Sequence, residues 1–244
     1  MLVLSKREIE RIGNDIIADF FRVTGQSIRN IDIEALASDY LGLKQVYTKL
    51  SDNGKMLGLT TFRGIKLELQ RNGGIDSIIL PEDTILLEER LREKGTKGCR
   101  RFTIGHECGH QILYRMEEKQ GHFDVHTRFR SGQAYSCREL KTVSDWYEWQ
   151  ANALGAVLLM PEELVRHTMK LFGYEGKLRV YRWGRLEMYD HHFIQAMTEY
   201  LGVSKTALIV RLRELGMVDD RPDDEYRYHP LDVIMTTVGK GQTD

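Results

Sequence analysis

The stretch that decides the fold of this chain is His106-Glu107-Cys108-Gly109-His110. Apolar residues surround it, which predicts a core helix over residues 99–116. Residues four apart on a helix project from one face, so His106 and His110 can offer two imidazole nitrogens to one metal ion. Glu107 stands beside them, where it can act as the base that takes a proton from water.

Two histidines do not complete a catalytic zinc site, which takes three protein ligands and leaves one position open. We predict Glu148 as the third ligand, because it lies among tryptophans and a tyrosine, where a buried carboxylate needs a cation. The alternatives are that Glu148 is an exposed helix position, or that His122 or His126 is the ligand instead. Asn152 follows Glu148 by one helical turn, and is either a hydrogen-bonding partner of a ligand or a core amide.

The charge balance argues against a protein that binds nucleic acid or anionic membrane through an overall positive field. The 244 residues contain 35 Lys and Arg against 36 Asp and Glu. The N-terminus lacks a signal-peptide pattern and no apolar run reaches bilayer-spanning length, so we expect a cytoplasmic protein without membrane contact. Its three cysteines do not fit a disulfide framework. Cys108 is expected to point into the core, away from the metal.

The spacing of apolar residues predicts the remaining elements. Helices are expected over residues 5–24, 32–42 and 83–92, and again from 144 to about 217. Strands are expected over residues 44–50, 57–63, 65–70 and 76–80, which tight turns separate. The polar stretch over 117–143 predicts a long loop beside the site that governs access to it.

Three motifs of this chain resemble the signature of ImmA/IrrE-type metallopeptidases. They are Arg101-Phe102-Thr103-Ile104-Gly105-His106-Glu107-Cys108-Gly109-His110, Glu148-Trp149-Gln150-Ala151-Asn152-Ala153 and Leu158-Leu159-Met160-Pro161. In that family the third metal ligand is the glutamate of the second motif, which is Glu148 here. The chain departs from the family in the long gap between His110 and Glu148 and in having Gly155 within a helix.

The resemblance implies an α+β chain with a zincin-like metallopeptidase domain over residues 1–165, in which a small, mostly antiparallel sheet accompanies the active-site helix. A helical, helix-turn-helix-like module is expected over 166–218, and a linker with a loosely held tail over 219–244. The resemblance also implies a cytoplasmic endopeptidase with one Zn²⁺ ion. Its substrate would be a helix-turn-helix repressor, whose cleavage releases transcription of mobile-element, phage or stress-response genes.

The C-terminal segment supports a different class of function. Residues 193–217 resemble a helix-turn-helix whose second helix carries Lys205, Arg211 and Arg213. We favour a packing role for it, because the chain has no net basic excess. The alternative function is a zinc-stabilised transcriptional regulator that binds DNA or a transcription factor without proteolysis. A third interpretation keeps the same ligands but hydrolyses a small amide in a closed pocket.

Overall fold

The structure, a computed structural model, describes residues 2–25, 31–52, 55–71, 74–119 and 143–226. The chain divides into two compact units, Met1–Leu164 and Val165–Asp244. Helices and strands are both present, so the predicted α+β class is confirmed. Among the residues described, no helix combines the length and the apolar character needed to cross a bilayer.

The first unit begins with α1 (Lys6–Thr24), as the apolar spacing predicts. Ser5 and Glu8 form the capping box: the Ser5 hydroxyl accepts from the Glu8 backbone N–H, and the Glu8 carboxylate accepts from the Ser5 N–H at 2.8 Å. Gly25 ends the helix with a left-handed backbone. Asp32 then caps the short α2 (Ile33–Ala35), which continues as a π-helical segment over Leu36–Tyr40.

A three-stranded mixed sheet follows. It consists of β1 (Lys44–Thr48), β2 (Gly58–Thr61) and β5 (Thr84–Glu88), in the order β1-β5-β2. β1 is parallel to β5, and β2 is antiparallel to it. The strands β3 (Ile65–Arg71) and β4 (Gly74–Leu80) form a separate antiparallel hairpin. The four predicted strands are therefore confirmed.

The predicted helix over residues 83–92 is wrong. Thr84–Glu88 is the central strand of the sheet, and only Glu89–Arg92 is helical, as a 3₁₀ turn. All five residues of the strand are buried. A strand covered on both faces has no alternation of apolar and polar residues, so its pattern resembles that of a buried helix.

Two long helices complete the first unit. They are α3 (Lys97–Lys119), which carries the two histidines, and α4 (Val143–Leu159), which carries Glu148. α1 packs on α4 where Gly13 meets Val157, at a point where a Cβ atom on the glycine would lie 2.4 Å from the valine side chain. The expected access loop lies outside the described residues, apart from its ends in α3 and α4.

α5 (Glu162–Leu171) spans the boundary between the two units. The second unit contains β6 (Leu178–Val180), α6 (Met188–Leu201), α7 (Lys205–Glu214) and β7 (Val218–Asp220), and β6 pairs in parallel with β7. The expectation of helix throughout 162–217 is thus wrong between α5 and α6, where β6 and a 3₁₀ turn lie. The expected linker begins inside β7, and residues 227–244 lie outside the described part of the chain.

Candidate metal centre

Three side chains from two helices converge in the first unit. The Nε2 atoms of His106 and His110, on consecutive turns of α3, lie 3.0 Å apart. Glu148 reaches them from α4: one carboxylate oxygen is 3.4 Å from His106 Nε2, and the other is 3.7 Å from His110 Nε2. All three side chains are buried. The structure therefore brings together the three residues predicted to bind metal.

These spacings fit a tetrahedral metal ion. Ligand atoms about 2.1 Å from such an ion lie about 3.4 Å from one another, close to the three distances above. Both carboxylate oxygens of Glu148 and Nδ1 of His106 lack a hydrogen bond within the described part of the chain. A buried carboxylate without hydrogen bonds is costly unless a cation offsets its charge. The donor set of two imidazoles and one carboxylate is one that catalytic zinc sites use.

The electrostatic surroundings favour a neutral His110. Burial lowers the pKa of His110 well below the ordinary histidine value, and neighbouring His106 lowers it further. A neutral imidazole is the form that binds a metal. The pKa of His106 is instead raised, because the carboxylates of Glu148 and Glu107 outweigh the effect of burial. The carboxylates thus lie where they would also attract a metal cation.

Glu107 lies beside this cluster and is fully buried. Neither of its carboxylate oxygens has a hydrogen bond among the described residues. Burial raises the pKa of Glu107 to about 7; the charge of Glu148 adds to the rise and His106 opposes it. A carboxyl group with a pKa near neutrality can both accept and return a proton, which is what a general base in hydrolysis must do.

α3 and α4 approach each other closely at glycines. A Cβ atom on Gly109 would lie 2.7 Å from the carbonyl oxygen of Ala151, and one on Gly155 would lie 2.8 Å from the carbonyl carbon of Gly105. At both positions the neighbour is helix backbone, so a larger residue would push the helices apart. Gly105 meets Gly155, whereas Gly109, which lies later in α3, meets Ala151, which lies earlier in α4. The two helices are therefore antiparallel. This packing places Glu148 opposite the two histidines.

Comparison with known proteins bears on the family. No family model matches the chain. A curated protein, the radiation response metalloprotease IrrE of Deinococcus radiodurans, is 27% identical over 136 residues, which are 56% of this chain and 37% of that protein. The predicted resemblance to the ImmA/IrrE-type family is confirmed. The relationship is distant, and this chain spans little more than a third of the relative's length.

The other predicted residues have different outcomes. Asn152 lies on α4 one turn after Glu148, and its side-chain contact with His106 raises the pKa of that imidazole. Cys108 is fully buried, burial raises the pKa of its thiol, and it is not part of the metal-binding group found among the described residues. The competing ligands His122 and His126 lie outside the described residues.

β2 contributes site residues that the sequence pattern did not indicate. A Cβ atom on Gly58, the first residue of the strand, would lie 2.5 Å from a carboxylate oxygen of Glu107. Farther along, Gln111 donates to the Thr60 hydroxyl at 2.7 Å and to the Thr61 carbonyl at 2.9 Å. Gln111 lies one helical turn after Glu107 on α3, and this four-residue spacing is the sequence feature that could have placed Gln111 near the site. β2 therefore runs beside the face of α3 that carries the predicted base.

The second unit presents little free positive charge on α7. Arg211 is 2% exposed and lies 3.8 Å from Glu214. Arg213 is ion-paired with Asp220 at 2.7 Å. Lys205 is exposed at the start of α7. Two of the three basic residues singled out in the sequence are thus engaged within the unit.

Proposed function

We propose that this chain is a zinc-dependent endopeptidase with a zincin-like fold. His106, His110 and Glu148 would hold one Zn²⁺ ion, and Glu107 would be the catalytic base. The observation that carries the proposal is the convergence of three side chains beside a buried carboxyl group: the two imidazole Nε2 atoms lie 3.0 Å apart, and the two oxygens of Glu148 lie 3.4 Å from His106 Nε2 and 3.7 Å from His110 Nε2. Glu107, with a pKa of about 7, supports the assignment of the base.

The chemistry divides between the ion and the protein. When bound, zinc supplies Lewis acidity, which lowers the pKa of a water molecule towards 7 and polarises the substrate carbonyl. Glu107 accepts the proton that the attacking water releases and passes it to the leaving amine. Asn152 acts on His106 from the next turn of α4 and helps to orient that imidazole. Gly58, packed against Glu107, limits where the carboxylate can lie.

We favour an extended peptide over a small amide as the substrate, because a strand edge lies beside the predicted base. Within the described residues β2 is an edge strand, because it pairs only with β5. Its first residue touches the predicted base. An edge strand can pair through its backbone with a chain that lies alongside it, although in β2 all four residues are buried and the Thr61 carbonyl already accepts from Gln111. A peptide held there would run past Glu107.

We further propose that Met1–Leu164 is the peptidase domain and Val165–Asp244 the C-terminal module. The relative's name, a radiation response metalloprotease, supports a regulatory substrate. With the family resemblance, this leads us to propose cleavage of a cytoplasmic helix-turn-helix repressor. No observation favours the DNA-binding alternative, because Arg211 is buried and Arg213 is paired with Asp220.

Metal analysis tests the ligands. Purified wild-type protein should contain one zinc ion per chain, and Glu148→Gln should raise the zinc dissociation constant more than the 10- to 100-fold that loss of an outer partner causes. Glu118→Gln is the matched control, because that carboxylate is exposed on α3. Equal zinc binding in wild type and Glu148→Gln would reject Glu148 as a ligand.

Cleavage of a fluorogenic peptide library, and of any helix-turn-helix repressor found encoded near the gene, tests the reaction. We expect Glu107→Gln to retain zinc and to cleave about 10²- to 10⁴-fold more slowly than the wild type, because a general base usually contributes a factor of that size. If zinc-loaded wild type cuts no peptide or repressor, the endopeptidase proposal fails. If only the repressor remains intact, the proposed substrate is wrong and the proposed chemistry stands.

A further inference from the structure

Glu148 differs from the two histidines in how its position is secured. His106 and His110 share α3, whereas Glu148 projects from α4, so its place beside them depends on how the two helices pack. The contact between Ala151 and Gly109 holds α4 on the C-terminal side of Glu148. A second contact lies on its N-terminal side.

That contact is a hydrogen bond between Tyr147 and Glu117. The Tyr147 hydroxyl lies 2.6 Å from each carboxylate oxygen of Glu117, two turns beyond His110 on α3. The side chains are 6% and 3% exposed. A short hydrogen bond from a hydroxyl to a buried carboxylate is among the stronger ones in proteins. It joins α3 to α4 one residue before Glu148.

Residues 2–4 strengthen the same junction. The backbone N–H of Leu2 donates to Glu117. The side chain of Gln150, which is fully buried on α4, accepts from the Leu4 N–H at 2.7 Å and donates to the Leu2 carbonyl at 3.2 Å. The segment therefore bonds to α3 through Glu117 and to α4 through Gln150. Its backbone bridges the two helices that supply the metal ligands.

We infer that Tyr147, Glu117 and Gln150 are positioning residues for the third metal ligand: with residues 2–4 they fix the start of α4 on α3 and hold Glu148 opposite the two histidines. The inference rests on the proposed zinc site. The hydrogen bonds described above join these three side chains to one another and to residues 2–4. They act by fixing the helix from which Glu148 projects, as the outer partners of metal ligands do.

The test measures zinc affinity rather than activity. Metal-free Tyr147→Phe and Glu117→Leu are titrated with zinc against a chromophoric chelator, at a temperature where circular dichroism shows each to be folded. We expect the zinc dissociation constant to rise about 10- to 100-fold in both. Glu117→Gln keeps an acceptor for the Tyr147 hydroxyl and should restore the wild-type constant. Cobalt-loaded Tyr147→Phe should have an altered visible spectrum, because Glu148 is displaced.

Tyr40→Phe is the matched control, because the Tyr40 hydroxyl also bonds a carboxylate, that of Asp19 on α1, at 2.9 Å, and this bond joins neither α3 nor α4. It should bind zinc and cobalt as the wild type does. The inference is overturned if folded Tyr147→Phe has the wild-type constant and spectrum, or if Tyr40→Phe weakens zinc equally.

Two further results complete the test. If Tyr147→Phe does not fold, Gln150→Met decides in its place: it removes both bonds to residues 2–4, and unchanged zinc affinity in it rejects the inference. If the wild type itself binds no zinc, the proposed function fails first, and the positioning inference falls with it.

Discussion

Gly155 of α4 packs directly on Gly105 of α3, so that a Cβ atom at position 155 would lie 2.8 Å from the Gly105 carbonyl carbon and 2.9 Å from the His106 backbone nitrogen. Both atoms belong to helix backbone and cannot move aside as a side chain would. Although alanine favours a helix by about 1 kcal/mol over glycine, we expect Gly155→Ala to lower the free energy of unfolding by about 1–3 kcal/mol. The substitution should also weaken zinc binding, because the displaced α4 would carry Glu148 away from the histidines.

Urea unfolding of the metal-free protein and zinc titration measure the two effects. Gly64→Ala is the control, because a Cβ atom there would meet its nearest neighbour, the Leu80 carbonyl oxygen, at an ordinary 3.7 Å. A Gly155→Ala protein as stable as wild type, with the same zinc affinity, would show that the helices need not approach this closely.

Gly58→Ala should separate the base from the metal ligands. The added methyl would lie 2.5 Å from a Glu107 carboxylate oxygen and 2.6 Å from Thr103 Cγ2. The end of the glutamate side chain is mobile enough to yield, whereas Thr103 must turn about its Cα–Cβ bond, so we expect Glu107 to move further than the helix does. We expect kcat to fall about 10²-fold, the usual cost of misplacing a reacting group by about 1 Å. Zinc content should not change; loss of zinc instead would mean that Gly58 supports the ligands and not the base.

The stability of the metal-free protein should depend on pH through Glu107. Burial raises its pKa from 4.5 to about 7, so between these values the folded protein keeps a proton that the unfolded chain has released. Its contribution to stability is therefore complete below about pH 4.5 and is lost as pH rises through about 7. The free energy of unfolding of wild type minus that of Glu107→Gln, measured with EDTA, should fall across this window. A constant difference would contradict the raised pKa.

The sequence predicts elements whose signals are local. Ser5 and Glu8 indicate the start of α1, and the tight turns of the strand region separate β1 to β4. Thr84–Glu88 was missed because a central strand lacks alternation. Glu148 could be singled out because a carboxylate among aromatic residues needs a charged partner, although its role as a ligand stays a prediction.

Contacts between distant segments of the chain could not be predicted from the sequence. The sequence shows glycines at positions 105, 109 and 155. It does not show that Gly105 meets Gly155, or that Gly109 meets Ala151. Likewise, neither Glu117 nor Tyr147 follows a pattern that names the other as its partner. Such pairs depend on how two helices cross, which the spacing within either helix does not determine.

The division of the proposed ligands between α3 and α4 has a consequence for the order of folding. Two imidazoles become neighbours as soon as α3 forms, since four residues of helix suffice. Glu148 joins them only after the chain between positions 110 and 148 closes and α4 docks, which costs chain entropy. A metal ion that binds before α4 docks would therefore be held by α3 alone and would exchange readily. The protein would retain the ion only once α4 docks, so the release rate of the ion during refolding would report when that docking occurs.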